Sequence, residues 1–177
     1  LSLAIGVAVS RALKQLKVDG VQLKWPNDIY INNKKVGGIL LEMVGDPAGQ
    51  CTVIIGIGMN HCMPEQSGQE IDQAWTDLSR VSSHPVSRNG LAALIVNHCF
   101  DVLDDYQQKG FASYQDEWQA IDAFKDTQAV VSTVNQSTIG TPLGVDEFGA
   151  LKMKLASGEI KTFIGGELSL RALSADK

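Results

Sequence analysis

Cysteines, clustered basic residues and long apolar runs are all scarce in this chain, and each scarcity removes a class of function. The three cysteines, Cys51, Cys62 and Cys99, are odd in number and form no C-x-x-C pair, which disfavours a disulfide framework or a structural zinc site and fits a reducing cytoplasm. His61-Cys62 has no further His or Cys at ligand spacing, so no metal site is expected. The net charge is −5 and no Lys/Arg run occurs, so nucleic-acid binding through this chain is not expected. The apolar start LSLAIGVAV is too short to span a bilayer and lacks a basic flank, so neither a membrane span nor a signal peptide is indicated. Neither G-x-x-x-x-G-K-[ST] nor G-x-G-x-x-G is present, which excludes the common glycine-rich phosphate loops.

What is there describes a folding chain. With 177 residues, 44% hydrophobic, and 17 glycines, it can form one ordinary domain or a domain with a small appendage. The pattern from Ser2 to Leu16 predicts an amphipathic helix with basic residues late, stopped at Asp19-Gly20. Val21 to Lys24 predicts a strand. A long helix is expected over Gly90 to Gln108, capped by Ser87 or Asn89, and a shorter one over Phe111 to Trp118. From Ala129 onward, five short β-type runs separated by turn residues predict a small SH3-like barrel: Ala129–Thr133, Ser137–Val145, Ala150–Ala156, Glu159–Ile164 and Glu167–Leu173.

The densest chemistry lies in Lys24 to Met43, KWPNDIYINNKKVGGILLEM. Pro26-Asn27-Asp28 is a turn cluster that presents a carboxylate, and the following residues carry a hairpin signal. With Asn33-Lys34 as the turn pair, Tyr30 faces Gly37, Asp28 faces Ile39, and Asp28, Tyr30, Lys35, Gly37 and Ile39 share one face. Asp28 and Lys35 then stand roughly 13 Å apart along the ladder, the length of a small ligand.

Cys51 to Met59 predicts a strand pairing with Gly38 to Val44 across a turn at Asp46–Gln50. It places Val53, Ile55, Ile57 and Met59 on one face and Gly56, Gly58 and Asn60 on the other. The bare face suits either a flat ligand or close packing of another element, and Trp75 suits either ring stacking or ordinary packing.

Together these residues resemble one family, the biotin protein ligases, including those bacterial enzymes that also repress the biotin operon. The resemblance rests on KWPND at Lys24–Asp28, KKVGGILLEM at Lys34–Met43, IGIGMN at Ile55–Asn60, Trp75, and GGELSLR at Gly165–Arg171, and runs through most of the chain. It implies an α+β fold: a mixed sheet covered by helices, like the catalytic domain of class II synthetases, over 1–125, then the SH3-like barrel over 126–177. The implied activity joins biotin and ATP, with Mg2+, into biotinyl-5′-AMP and passes biotin to a lysine of biotin carboxyl carrier protein.

Carried over position by position, the resemblance makes Lys35 the residue that binds the biotin carboxylate and the adenylate phosphate, and Asp28 the one that orients or deprotonates the acceptor amine. Gly37, Gly38, Gly56 and Gly58 would admit the ligand and Leu41 would touch biotin. Asn27, Asn60, Trp75 and Arg171 would serve the nucleotide. It also implies a homodimer using the Asp46–Gln50 loop, and a cytoplasmic location. The family's GRGRRG loop, first strands and DNA-binding helix-turn-helix are absent and expected before Leu1, so that this chain is expected to be a fragment with weak or no activity. The rival readings are a lipoate or octanoate protein ligase and a non-catalytic binding module.

Overall fold

The computed structural model describes residues 1–45, 51–68, 71, 73–133, 136–165 and 168–173. The fold is mixed α/β, with two antiparallel sheets and a helical layer. Helix α1 (Ser2–Gln15) is followed by β1 (Val21–Lys24), β2 (Asp28–Ile31), β3 (Lys34–Gly45) and β4 (Cys51–Met59), which form the first sheet in that spatial order. Two one-turn helices, α2 (Glu65–Gly68) and α3 (Leu78–Val81), lead to the long α4 (Arg88–Lys109), a 3₁₀ turn at Phe111–Tyr114 and α5 (Gln115–Ala120). The second sheet contains β5 (Ala129–Ser132), β6 (Ser137–Val145), β7 (Leu151–Lys154), β8 (Ile160–Phe163) and β9 (Ser169–Ala172), in the order β8-β7-β6-β5-β9. Each of the five expected C-terminal runs forms a strand, and the sheet is open, with β8 and β9 outermost.

Helix α1 departs from the amphipathic expectation. Ten of its residues are buried, including the unbroken run Leu3 to Ser10, because α1 touches β1 and β3 as well as α4 and α5. Gly6 makes the crossing over β1 possible, since a Cβ there would stand 3.2 Å from a methyl of Leu23. Ser87 is the residue that caps α4, its Oγ accepting from Gly90 N–H, as a short hydroxyl does for the free donors of a first turn.

One core runs through both sheets, from Ile5 and Leu13 through Trp25 and Trp118 to Met153 and Leu170. The indole N–H of Trp25 donates to the Gly149 carbonyl at 3.1 Å, and Gln115 Nε2 donates to the Val145 carbonyl at 2.7 Å. Burying aromatic side chains of this size contributes about 1.5–3 kcal/mol each, and the polar edge of Trp25 is satisfied by the neighbouring loop.

The hairpin register differs from the expected one. The turn residues are Asn32 and Asn33, both at positive φ (51° and 61°), the conformation a two-residue hairpin turn of right-handed twist needs. Ile31 therefore faces Lys34 and Tyr30 faces Lys35, while a bulge shifts Asp28 onto Gly38. Farther along, β3 and β4 pair regularly from Gly37↔Met59 to Gly45↔Cys51. Val53, expected in the core face, is exposed, because this end of the β3-β4 ribbon extends past the helices. The expected turn and pairing loop at 46–50 lies outside the described residues.

Candidate active site

Lys24, Asp28 and Lys35 meet on the sheet face turned away from α1. Lys24 is opposite Asp28, Asp28 opposite Gly38, and Gly38 opposite Gly58, so one row across four strands carries a cation, a carboxylate and two bare positions. Asp28 Oδ2 accepts from Lys24 Nζ at 2.8 Å and Asp28 Oδ1 from Lys35 Nζ at 2.5 Å. The expected 13 Å separation is thus not found: the bulge and the long lysine side chain close it into an ion pair. Exposure rises along the triad, with the Lys24, Asp28 and Lys35 side chains 9%, 12% and 29% exposed.

The glycines divide by face. A Cβ on Gly38 would lie 3.5 Å from Asp28 Oδ1 and 3.6 Å from Lys35 Nζ, and one on Gly58 would meet nothing nearer than the Gly38 carbonyl at 4.0 Å. Gly56 is similarly open, 3.5 Å from the Leu40 carbonyl. Gly37, expected on the lysine face, points the other way: a Cβ there would collide with the Gly58 carbonyl and Met59 Sδ, each at 2.6 Å. Leu41 likewise packs against the core, paired with Ile55. Its neighbour Leu40, opposite Gly56 and 60% exposed, is the leucine on the glycine face.

A backbone strap fixes Lys35 from the side. Lys35 N–H donates to the Ala74 carbonyl and Thr76 N–H to the Lys35 carbonyl, each at 2.9 Å, so Trp75 stands directly beside Lys35 in a parallel bridge. The Arg80 guanidinium lies 4.5 Å from the centre of the Trp75 ring. Asn60 holds the strap through its side-chain donor to the Thr76 carbonyl at 3.0 Å and its own N–H to the Val36 carbonyl at 2.7 Å. The Asn27 side chain is also engaged, donating to the Ile39 carbonyl at 2.8 Å. Arg171 is on β9, opposite Val130, in the second sheet.

Behind the strap, the buried Asp77 accepts from Met63 N–H, Ser79 Oγ and Arg80 N–H. Burial alone would raise its pKa, yet these donors and the Arg80 guanidinium hold the carboxyl below its ordinary range. Among the described residues no cluster of His, Cys, Asp and Glu is arranged to hold a metal, and no helix is long and apolar enough to cross a membrane.

Sequence reasoning gave Lys24 no separate role, named Leu41 without Leu40, and did not foresee the strap. Lys24 was visible inside the KWPND motif, but its ion pair follows from the turn that folds Asp28 back against it. No local sequence signal marks the strap, which joins residues about forty positions apart in the chain.

Residues 1–60 match the model of the biotin/lipoate A/B protein ligase family. The chain is 34% identical to the bifunctional ligase/repressor BirA of Escherichia coli K12 over 177 residues, all of this chain and 54% of that protein. It is 32% identical to BirA of Bacillus subtilis 168 over 172 residues, 96% of this chain and 52% of that protein. It therefore spans about half the length of these relatives. Among solved structures, the biotin protein ligase of Aquifex aeolicus in complex with biotin and ATP superposes with a TM-score of 0.83 at 26% identity, covering 97% of this chain and 71% of that one. The first sixty residues and the fold thus resemble those of ligases of the biotin/lipoate type. Within that class, its similarity is to biotin protein ligases, in sequence and in fold alike.

Proposed function

We propose that this chain carries the glycine-lined face and the lysine-aspartate pair of a biotin protein ligase, which makes biotinyl-5′-AMP from biotin and ATP and transfers biotin to a lysine of biotin carboxyl carrier protein. The observation that carries this reading is the Asp28–Lys35 ion pair at the edge of the open surface over Gly38 and Gly58. It is supported by the similarity to BirA and to a ligase solved with biotin and ATP.

Lys35, the most exposed member of the triad, exchanges its carboxylate partner for the biotin carboxylate and then the adenylate phosphate, stabilising charge that builds up in the acyl transfer. Asp28 is thereby released toward the acceptor. The amine nitrogen bonds to the acyl carbon as the acyl–oxygen bond to phosphate breaks, the electron pair leaves on AMP, and the nitrogen's proton passes to Asp28 Oδ1. Gly38, Gly56 and Gly58 leave room for the ligand and Leu40 offers apolar contact. Trp75 and Asn60 lie at the nucleotide end, which Arg171 would reach from the second sheet. Mg2+ enters with ATP.

The same reading includes closure of the second sheet as the SH3-like barrel, a cytoplasmic setting and no nucleic-acid contact through this chain. It also includes a homodimer, supported by the exposed apolar Met43, Val44, Val53 and Ile54 on the β3-β4 ribbon. Because the matched family spans lipoate as well as biotin ligases, the deciding experiment is calorimetric titration of the chain and its Lys35→Ala variant with biotin, lipoate and biotinyl-5′-AMP. Biotinyl-5′-AMP binding that Lys35→Ala weakens about a hundredfold supports the proposal. A preference for lipoate replaces it with the lipoate reading, and indifference to Lys35→Ala leaves a binding module.

A further inference from the structure

The two lysines that flank Asp28 are not equivalent. Lys24 is almost fully enclosed, its Nζ lying 2.8 Å from Asp28 Oδ2 and 5.3 Å from the centre of the Tyr30 ring. That ring is itself braced, edge-on to Phe124 at 6.4 Å and with its hydroxyl 3.3 Å from Gln73 Oε1. A cation over an aromatic face and against a carboxylate, with little access to water, has nowhere better to go. Lys35 shares the carboxylate through the other oxygen but has roughly three times the exposure, and its side chain borders Gly38, where no Cβ limits it. One cation is built in and the other can swing out.

We propose that Lys24 is a positioning residue: it holds Asp28 by Oδ2 as a fixed counter-ion, so that Lys35 can leave for the ligand without Asp28 losing its charge partner or its orientation. This inference rests on the ligase reading above. Without Lys24, a ligand that recruits Lys35 would strand a nearly buried carboxylate, and the carboxylate would either follow Lys35 or rotate away from the acceptor amine. The two oxygens thus have separate tasks, Oδ2 for anchoring and Oδ1 for the amine.

The test uses the whole chain with biotinyl-5′-AMP and biotin carboxyl carrier protein, measuring adenylate affinity and the transfer rate separately. Lys24→Met is expected to bind biotinyl-5′-AMP within about threefold of wild type and to slow transfer by about tenfold or more. Lys24→Arg is expected to recover most of the rate, and Lys24→Met is expected to cost nothing further in an Asp28→Asn background, because the two act as one unit. If Lys24→Met does not fold, Lys24→Gln takes its place in each comparison.

The inference is overturned by wild-type transfer in the uncharged variant, by an undiminished cost on top of Asp28→Asn, or by failure of Lys24→Arg to recover the rate. Failure of both uncharged variants to fold while Lys24→Arg remains intact also overturns it, by making Lys24 a structural counter-ion only. A wild-type chain that binds no biotinyl-5′-AMP rejects the ligase reading, and the inference with it. One that binds the adenylate without transferring rejects the roles of both Asp28 and Lys24 while leaving the binding site in place.

Discussion

Asn27 and Ile39 are tied by a reciprocal pair of hydrogen bonds, Ile39 N–H to the Asn27 carbonyl and Asn27 Nδ2 to the Ile39 carbonyl, each 2.8 Å. They pin the turn that presents Asp28 to the middle of β3. Asn27→Ala removes one bond and leaves a half-buried carbonyl short of a partner, which costs about 1–2 kcal/mol. Urea unfolding should show that loss, and adenylate affinity should fall with it because Asp28 sits one residue away.

Gly37 and Gly58 lie on neighbouring strands but open to opposite faces of the sheet. Gly37→Ala drives a methyl into the Gly58 carbonyl and Met59 and should destabilise the chain by about 1–3 kcal/mol. Gly58→Ala enters open space and should leave the unfolding midpoint unchanged within about 0.5 kcal/mol while reducing biotinyl-5′-AMP affinity. Paired denaturation and calorimetry separate the two effects.

Asp122, in the connection after α5, has a buried Oδ2 without a hydrogen-bond partner among the described residues. Burial pushes its pKa up to about 6, partly offset by the Phe124 N–H and by Lys125. The folded state therefore holds the proton more tightly than the unfolded state, so the ionised carboxyl costs stability above about 6 and that cost is relieved as pH falls from about 6 to below about 4. Asp122→Asn keeps the acceptor for Phe124 and removes the charge. It should stabilise the chain at pH 8 by on the order of 2 kcal/mol and give no advantage near pH 4, as read from urea midpoints at the two pH values.

Asp77 titrates in the opposite sense. Its folded pKa lies below the ordinary value, so its contribution is present above the unfolded pKa and is lost as pH falls through the folded one. Asp77→Ala leaves the Met63 N–H without its acceptor and the Arg80 N–H with only the Asp77 carbonyl at 3.2 Å, and should cost about 2–4 kcal/mol at pH 7. The cost should shrink in acid, and Trp75 fluorescence should change with it, because the Arg80 guanidinium over the Trp75 ring also pairs with Asp77.

Much of this architecture was legible in the residues. Alternation at Ile55, Ile57 and Met59, the Asn32-Asn33-Lys34-Lys35 cluster, the five C-terminal runs and the Ser87 cap each depend on spacing within a few residues, and each appears as an element where local chemistry put it. The motif set around Asp28 and Lys35 pointed to the biotin protein ligases for the same reason: the glycine face is built mainly from one hairpin and the strand beside it.

The sequence by itself determined most of the elements, the glycine row of β4 and the presence of a carboxylate and a lysine on one face of a hairpin. Tertiary structure decided which side of the sheet each residue serves. A single bulge between Lys35 and Gly37 changed the face of Gly37 and brought Asp28 within reach of Lys35, because a one-residue slip inverts every side chain beyond it, while the β1-β2 turn set Lys24 on the other side of the carboxylate. Packing of α1 against both the sheet and the other helices, and the strap from Ala74 to Thr76, depend on contacts between distant parts of the chain. Local periodicity carries no record of those.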